Sequence, residues 1–409
     1  MMIFEDRYNR LLEELFARHP SVQNKGFTPG AYKPGLTGMR QLDASLGHPS
    51  RQFRAVHVAG TNGKGSVCSM LAAALSAAGL RVGLYTSPHL LDFRERIKLV
   101  ERDGWEMIPR EEVFRFLDGQ DFEGLSFFEI TTGIAFRWFA DRKVDVAVIE
   151  TGLGGRLDST NIITPELSIV TGIGLDHCAL LGDTRPKIAA EKAGIFKPGV
   201  PALVGERDDE TAPVFEAKAA AAPCPLFFAE DFEEESFGTD LTGPCQAVNL
   251  HTVLAALDLL GIEPDKEALI ATAARTGLRG RWERLCAEPE VICDIGHNPP
   301  ALEINFRRLR ESGRPLLIVY GIMADKDLAA IRPLMPPDAH YFLVSPRGER
   351  ALPVEALAAR MEGLRCTACG SVEEGVRLAL DAASRIPDCI LYIGGSTFVV
   401  AEAIGLFDT

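Results

Sequence analysis

Residues His57–Ser66 read HVAGTNGKGS, a glycine-rich stretch that closes on lysine, glycine and serine. Glycines let backbone N–H groups approach phosphate oxygens, and the start of a following helix adds partial positive charge. Lys64 would reach the β- and γ-phosphates of a nucleotide, and the Ser66 hydroxyl would bind Mg²⁺. Gly65 separates Lys64 from Ser66, so the general pattern GxxxxGK[ST] is not met. The order of strand, loop and helix nevertheless favours nucleotide binding over an ordinary tight turn.

Two further polar side chains follow apolar runs. Glu150 ends the strand predicted over Val144–Ile149, and His177 follows the strand predicted over Leu167–Thr171. Parallel strands present their carboxyl ends to the ligand, so Glu150 is expected to bind Mg²⁺. His177 is either a second metal ligand or a buried, hydrogen-bonded histidine. The glycines after Glu150 lack the third glycine of a dinucleotide fingerprint, which makes a dehydrogenase a weak alternative.

The second half of the chain offers polar groups at two more strand ends. Asp294 and His297 both follow one strand. Asp294 would bind a ribose hydroxyl, and His297 would face a phosphate or a carboxylate. Ser396 lies in the segment Gly394–Thr397, which would form a small anion-binding nest before the last helix. Each segment is equally well explained as a capped turn.

Alternating strands and helices must position these residues. The alternation starts near residue 55 and indicates a doubly wound α/β domain; a second alternation starts near residue 290 and indicates a smaller Rossmann-type domain. The domains are predicted as residues 1–280 and 281–409, with the boundary inside the polar stretch Thr276–Arg284. No internal repeat or low-complexity segment is evident.

Composition excludes several classes of protein. The 409 residues are 46% hydrophobic and 24% charged, which is typical of globular proteins. With 43 basic and 57 acidic residues the formal charge is −14, which argues against general binding to nucleic acid or to a membrane surface. No apolar run reaches the roughly 18 residues of a membrane span. The nine cysteines show no framework spacing and, with the acidic N-terminus, indicate a cytoplasmic protein.

Taken together, the motifs resemble the folylpolyglutamate synthase/dihydrofolate synthase family, a branch of the Mur ligases. The resemblance runs nearly end to end and depends on the order and spacing of the motifs. They are GMR (38–40), HVAGTNGKGS (57–66), TSPHL (86–90), FFEITT (127–132), ETGLGGRLDSTN (150–161), LDH (175–177), EKAGIFKPG (191–199), GRWE (280–283), DIGHNP (294–299) and GGS (394–396). Peptidoglycan Mur ligases carry an additional N-terminal domain, for which the stretch before residue 55 leaves no room.

The resemblance implies an ATP-dependent ligase of folate metabolism with a P-loop, Mur-ligase-like central domain and a Rossmann-like C-terminal domain. ATP would phosphorylate the carboxylate of dihydropteroate or a folate, and the amine of L-glutamate would attack the acyl phosphate. The implied nucleotide contacts are Gly60, Thr61, Asn62, Gly63, Lys64, Gly65, Ser66, Asn249, Arg281 and Asp294. Two Mg²⁺ sites are implied, with the ligands Ser66, Ser87, Glu150 and His177. The implied substrate contacts are Phe127, Phe128, Asp158, His297 and Ser396, although the two phenylalanines are equally well explained as core residues.

Lys64, His177 and Lys192 are the catalytic residues that the resemblance implies. Alone, Lys192 would be an ordinary helix lysine, but in several members of the superfamily the matching lysine carries a carbamate. The resemblance also implies a monomer. The alternatives are another amide ligase of the Mur superfamily and, from a different class, a P-loop regulatory ATPase. The second domain argues against the regulatory ATPase, because a nucleotide switch needs no amino-acid site.

Overall fold

The computed structural model describes residues 2–26 and 33–408, which separate into two compact units. The first unit comprises Met1–Asp240 and Gln246–Gly277, and the second comprises Leu241–Cys245 and Leu278–Thr409. The chain therefore enters the second unit for five residues, returns to the first, and leaves it again after Gly277. The sequence-based boundary at 280/281 lies three residues beyond that last crossing.

An eight-stranded sheet forms the centre of the first unit. Its strands are β1 (Arg54–Ala59), β2 (Val82–Tyr85), β3 (Ile97–Glu101), β4 (Gly104–Met107), β5 (Val146–Glu150), β6 (Leu167–Val170), β7 (Ala202–Val204) and β8 (Leu226–Phe228). Their order is β4-β3-β2-β5-β1-β6-β7-β8. The central strand β1 pairs in parallel with β5 and β6, and both of these strands are buried along their whole length. This burial is typical of parallel sheets, because helices cover both of their faces.

The helices of the first unit cover both faces of this sheet. They are α1 (Met2–Arg18), α2 (Val22–Lys25), α3 (Thr37–Ser45), α4 (Lys64–Ala77), α5 (Arg110–Leu117), α6 (Phe127–Asp141), α7 (Cys178–Leu181), α8 (Arg185–Lys192), α9 (Ala212–Ala221), α10 (Gln246–Leu260), α11 (Lys266–Ile270) and α12 (Thr272–Thr276). Helix α4 packs on the sheet with one face and contacts α10, α11 and α12 with another, so that residues 65–76 are all buried.

The second unit has a six-stranded sheet in the order β13-β12-β11-β14-β10-β9. Its strands are β9 (Glu283–Cys286), β10 (Glu290–Cys293), β11 (Leu316–Tyr320), β12 (His340–Leu343), β13 (Arg365–Ala368) and β14 (Ile390–Gly394). Its helices are α13 (Pro299–Glu311), α14 (Leu328–Ile331), α15 (Val354–Ala358), α16 (Val372–Ala383) and α17 (Thr397–Phe407). A core of its own, which includes Phe306, Tyr320 and Tyr392, holds this unit together.

The predicted α/β class is confirmed, but both sheets are mixed rather than purely parallel. In the first sheet β3 pairs antiparallel with both β2 and β4, and in the second β9 pairs antiparallel with β10. The antiparallel strands all lie at a sheet edge, where no crossover helix is needed. Within residues 2–26 and 33–408 no helix is both long enough and apolar enough to cross a membrane.

Candidate functional site

The candidate site of the first unit lies at the carboxyl end of its central strands. The loop from Gly60 to Gly63 joins β1 to α4, and Glu150 is the last residue of the adjacent strand β5. On the other side of β1, the chain after β6 leads to His177 at the start of α7. This is the edge at which parallel α/β sheets bind ligands.

Two lysines converge on one carbonyl oxygen of the glycine-rich loop. Lys64 Nζ donates to the carbonyl oxygens of Gly60 at 3.0 Å and Thr61 at 3.1 Å. Lys192, the last residue of α8, donates from Nζ to the same Gly60 oxygen at 2.7 Å. Lys192 is therefore buried against the loop, and it is not the ordinary helix lysine that its own neighbourhood suggests.

Both lysines line a small cavity together with His177. Its walls are Gly60, Thr61, Lys64, Thr151, Gly152, Leu153, Gly154, Asp176, His177, Leu181 and Lys192. Burial and the nearby charge of Lys64 lower the pKa of Lys192 to about 7, while Asp176 and Asp158 act in the opposite direction. A lysine in this state is partly a neutral amine near pH 7 and can act as a nucleophile or a proton carrier.

Helix α10 supplies amide side chains to the start of α4. Asn249 Nδ2 donates to Gln246 Oε1 at 2.9 Å, and Gln246 Nε2 donates to Ser66 Oγ at 3.3 Å. Gly63 has a φ of +86°, and a Cβ there would lie 2.3 Å from Asn249 Oδ1. Only glycine allows this approach, so α10 and the loop are closely fitted to each other. The predicted nucleotide contact Asn249 thus lies directly against the loop.

Glu150 is the one carboxylate among the four predicted metal ligands. It is 4% exposed, and its Oε2 accepts a hydrogen bond from the backbone N–H of Ser87 at 2.9 Å. Mg²⁺ is commonly held by one or two carboxylates together with waters and substrate phosphates, so a lone buried carboxylate beside Ser87 suits it. In the part of the chain that the structure describes, no three His, Cys, Asp or Glu side chains are grouped to hold a metal by themselves.

Of the three predicted acceptor-substrate residues, two contact the loop that lines the cavity and one lies in the core. Phe127 is buried in the core, with its ring against Phe16 and the Arg96 guanidinium. Phe128 packs against Gly152, where a Cβ would lie 2.5 Å from the ring. Asp158 is buried, and its Oδ2 accepts the backbone N–H groups of Gly152 and Leu153, both at 2.9 Å. Phe128 and Asp158 therefore both contact the loop that lines the cavity.

The predicted residues of the second unit lie at the carboxyl ends of β10 and β14. Asp294 is half-buried and accepts hydrogen bonds from Gly296 N–H at 2.8 Å, Asn305 Nδ2 at 2.7 Å and Trp282 N–H at 2.9 Å. Burial raises the pKa of Asp294, while these bonds and the nearby charge of Arg281 oppose the rise. The carboxylate thus fixes the turn that carries Arg281.

His297 and Ser396 lie at two helix starts of the second unit. His297 Nδ1 lies 3.0 Å from the Ile295 carbonyl oxygen, just before α13. Ser396 is the N-cap of α17, and its Oγ accepts the N–H of Phe398 at 3.0 Å. Helix starts of this kind favour anions, which is the charge that both residues are predicted to meet.

Four residues of the first unit were missed by the sequence analysis. Asp176 lines the cavity beside His177, and Gln246 bonds to Ser66. The spacing of Gln246 and Asn249, three residues apart on a largely apolar helix, is a signal that points to both. Thr160 and His57 lie next to Asp158 in a buried network. No signal in the sequence joins these last two, since 103 residues separate them.

Comparisons with known sequences identify the relatives of this chain. A family model described as Mur ligase, glutamate ligase domain matches residues 280–395. The dihydrofolate synthase/folylpolyglutamate synthase of Bacillus subtilis is 36% identical over 332 residues, which are 72% of this chain and 76% of that protein.

Solved structures match over nearly the whole chain. FolC of E. coli in complex with DHPP and ADP superposes with a TM-score of 0.84 at 28% identity, over 98% of this chain and 97% of that one. A bifunctional folylpolyglutamate synthase/dihydrofolate synthase with Mn, AMPPNP and L-glutamate bound superposes with a TM-score of 0.80 at 30% identity, over 92% and 95% of the two chains. The chain therefore belongs to the dihydrofolate synthase/folylpolyglutamate synthase family.

Proposed function

We propose that this chain is an ATP-dependent ligase that adds L-glutamate to dihydropteroate, to reduced folates or to both. The observation that carries the proposal is the shared cavity of Lys64, His177 and Lys192 at the glycine-rich loop. The chain has a phosphate loop, a buried carboxylate and two lysines at one edge of its sheet. These are the groups that the reaction needs. The relatives that bind ADP, AMPPNP, DHPP and L-glutamate support the same assignment.

The chemistry explains why these residue types are gathered here. A carboxylate is a poor electrophile, so transfer of the γ-phosphoryl group of ATP to the acceptor gives an acyl phosphate with a good leaving group. The glutamate amine then attacks the acyl carbon and forms the amide, and phosphate leaves. Two anions must meet in the first step, and Lys64 offsets their repulsion by binding the transferring phosphoryl group.

Four residues are proposed to hold divalent metal at two sites: Ser66, Ser87, Glu150 and His177. Magnesium supplies charge neutralisation for the phosphates. Glu150 and Ser87 are already joined by a hydrogen bond, and Ser66 is a buried residue of the first turn of α4. His177 has a left-handed backbone with φ of +53° at the start of α7, a conformation uncommon for histidine. Such conformations cluster at functional sites.

The other predicted site residues are proposed to contact nucleotide or substrate. The loop Gly60–Ser66, with Asn249 against Gly63, would hold the phosphates, and Arg281 and Asp294 would contact the rest of the nucleotide. His297 and Ser396 would bind the carboxylates of glutamate. Phe127, Phe128 and Asp158 are proposed on the acceptor side. The chain is proposed to act as a monomer, which its mass in solution tests.

Lys192 is further proposed to carry a carbamate. Its neutral Nζ would attack CO₂, forming an N–C bond and releasing a proton to solvent, to give an anion that helps to orient metal near the γ-phosphate. The buried position and the pKa of about 7 favour the amine form that this reaction needs. The alternative is an unmodified lysine that binds phosphate directly.

Bicarbonate is expected to stimulate the enzyme after CO₂ has been removed, and more strongly at pH 8 than at pH 6. The reason is that the ammonium form predominates below a pKa of about 7 and cannot react with CO₂. A carbamate carbon in the ¹³C NMR spectrum with labelled bicarbonate, lost in Lys192→Ala, would identify the group. Lys187→Ala, at an exposed ion pair with Asp183, is the control. Full activity without CO₂, or a Lys192→Ala variant as active as wild type, would contradict the carbamate.

The ligase activity itself is tested by the acceptor. ADP release with Mg-ATP and L-glutamate is measured with dihydropteroate, with tetrahydrofolate and with no acceptor. Release that depends on an acceptor, with the glutamylated product seen by mass spectrometry, is expected. The pair of rates shows whether one or both acceptors are used. Equal release without an acceptor would favour a regulatory ATPase, and activity only with another acid would favour a different amide ligase of the superfamily.

A further inference from the structure

A buried chain of hydrogen bonds runs from the central strand to the cavity wall. His57 on β1 has its Nε2 2.8 Å from Thr160 Oγ1, and Thr160 Oγ1 contacts Asp158 Oδ1 at 2.5 Å. The backbone N–H of Thr160 also donates to Asp158 Oδ1, at 3.0 Å. His57 and Thr160 are fully buried, and Asp158 is 5% exposed.

The chemistry of the three groups sets the direction of these bonds. Burial raises the pKa of Asp158, but the hydrogen bonds from Thr160, Leu153 and Gly152 oppose that rise and favour the carboxylate. A carboxylate can only accept and Thr160 has a single hydroxyl proton, so the hydroxyl donates to Asp158. His57 Nε2 must then carry a proton and donate to Thr160. Burial, with a contribution from the charge of Lys197, lowers the pKa of His57 to about 3, so the ring is neutral and has only this one N–H. Its Nδ1 is left without a partner among the described residues, as an unprotonated nitrogen can be.

The other oxygen of Asp158 holds the cavity wall. Oδ2 accepts the backbone N–H groups of Gly152 and Leu153, and both residues line the cavity with Lys64 and Lys192. Gly152 lies against the Phe128 ring, so the same loop separates the lysines from the aromatic side. A shift of Asp158 would therefore be transmitted to both sides of this loop.

We propose that His57 and Thr160 are positioning residues that hold Asp158, and through it the backbone at Gly152 and Leu153, in the geometry that the ligase reaction needs. The inference rests on the proposed function, because it assigns these residues to that reaction. It goes beyond it in giving a role to two residues that are not among the proposed nucleotide, metal or substrate contacts.

Apolar packing alone does not explain this choice of residues. Burying an imidazole and a hydroxyl is unfavourable compared with burying apolar side chains of similar size. The free-energy penalty of burying these polar groups is offset only where they bond to each other and to the carboxylate. The structure thus retains a polar chain inside the core next to β1, and that chain ends at the cavity.

Paired variants test the role of each bond. Thr160→Val removes the hydroxyl, and we expect kcat to fall by about tenfold or more with the KM for ATP changed less than about twofold, since small misplacements at reacting groups are costly. Thr160→Ser restores the hydroxyl and should recover most of kcat. His57→Gln, whose amide can donate from a place similar to Nε2, should be more active than His57→Leu. Thr272→Val, at a buried threonine whose hydroxyl donates to the Leu269 carbonyl oxygen of the preceding helix, is the control.

A measurement that does not depend on activity separates this inference from the proposed function. Side-chain ¹⁵N NMR of histidine-labelled protein should show His57 as the Nε2–H tautomer, unchanged between pH 6 and pH 8. The assignment comes from the signal lost in His57→Gln. An Nδ1–H tautomer, a His57 that titrates in this range, or equal kcat values for Thr160→Val and Thr160→Ser would overturn the proposal. An inactive wild-type enzyme with the expected tautomer would instead contradict the proposed function.

Discussion

Lys64→Ala is expected to abolish ATP-dependent ligation, with a fall in kcat of about 10³-fold or more, while the protein stays folded. The side chain donates to Gly60 and Thr61 on its own loop and borders the cavity, so its charge is available to a transferring phosphoryl group. Loss of one such group commonly costs about 10²–10³ in kcat, and here the loss also removes the charge beside Lys192. Initial rates of ADP release and of glutamylated product are the measurement.

Two comparisons keep the Lys64 result interpretable. Lys187→Ala removes an exposed lysine that is paired with Asp183, and it should retain wild-type turnover. The thermal unfolding midpoints of both variants should stay close to that of wild type, because neither lysine is part of a core. A Lys64→Ala enzyme that kept most of its turnover would exclude the loop as the phosphate site.

Glu150→Gln is expected to lower turnover by about 10²-fold or more and to weaken the response of turnover to Mg²⁺ at a given concentration. The amide keeps an oxygen that can accept from Ser87 N–H, so the loop should keep its shape while the negative charge is lost. Magnesium titrations of initial rate at fixed ATP should shift to higher concentration. The matched control is Glu166→Gln, at an exposed ion pair with Arg54.

His177→Ala is expected to have an effect of the same order on turnover and on the magnesium titration. Its backbone is left-handed, so His177→Asn is a useful second variant, because asparagine tolerates that conformation better than alanine. If both His177 variants and Glu150→Gln titrate with magnesium as wild type does, these side chains are structural and the metal lies elsewhere.

Much of the fold could be predicted because local patterns agree with the final structure. The strands predicted over Val144–Ile149 and Leu167–Thr171 are found as β5 (Val146–Glu150) and β6 (Leu167–Val170), with ends that differ by at most two residues. The hairpin of β3 and β4 was missed because its sequence is not a clean apolar run. Lys98 interrupts β3, and its burial depends on contacts with the Trp105 ring and the carbonyl oxygens of Thr276 and Gly277.

The site was predictable to the extent that its residues sit in contiguous motifs. The loop Gly60–Ser66 and the strand end at Glu150 follow from strand, turn and helix order alone. Lys192 and Asn249 came only from the resemblance, since their own neighbourhoods look ordinary. Lys192 contacts Gly60, which is 132 residues away in the sequence. Asn249 is linked to the loop through Gln246, which contacts Ser66 at a separation of 180 residues. Such pairings depend on the packing of whole elements.

The covering of α4 by α10, α11 and α12 has a consequence for synthesis of the chain. All eight strands of the first sheet have been made once residue 228 leaves the ribosome, yet the helices that cover α4 follow only after the excursion Leu241–Cys245 into the second unit. Until then the apolar side of α4 is open to water or to chaperones. A fragment that ends at Asp240 would keep the complete sheet and the phosphate loop, but the apolar side of α4 would stay exposed. A fragment that continues to Gly277 would include the helices that cover it.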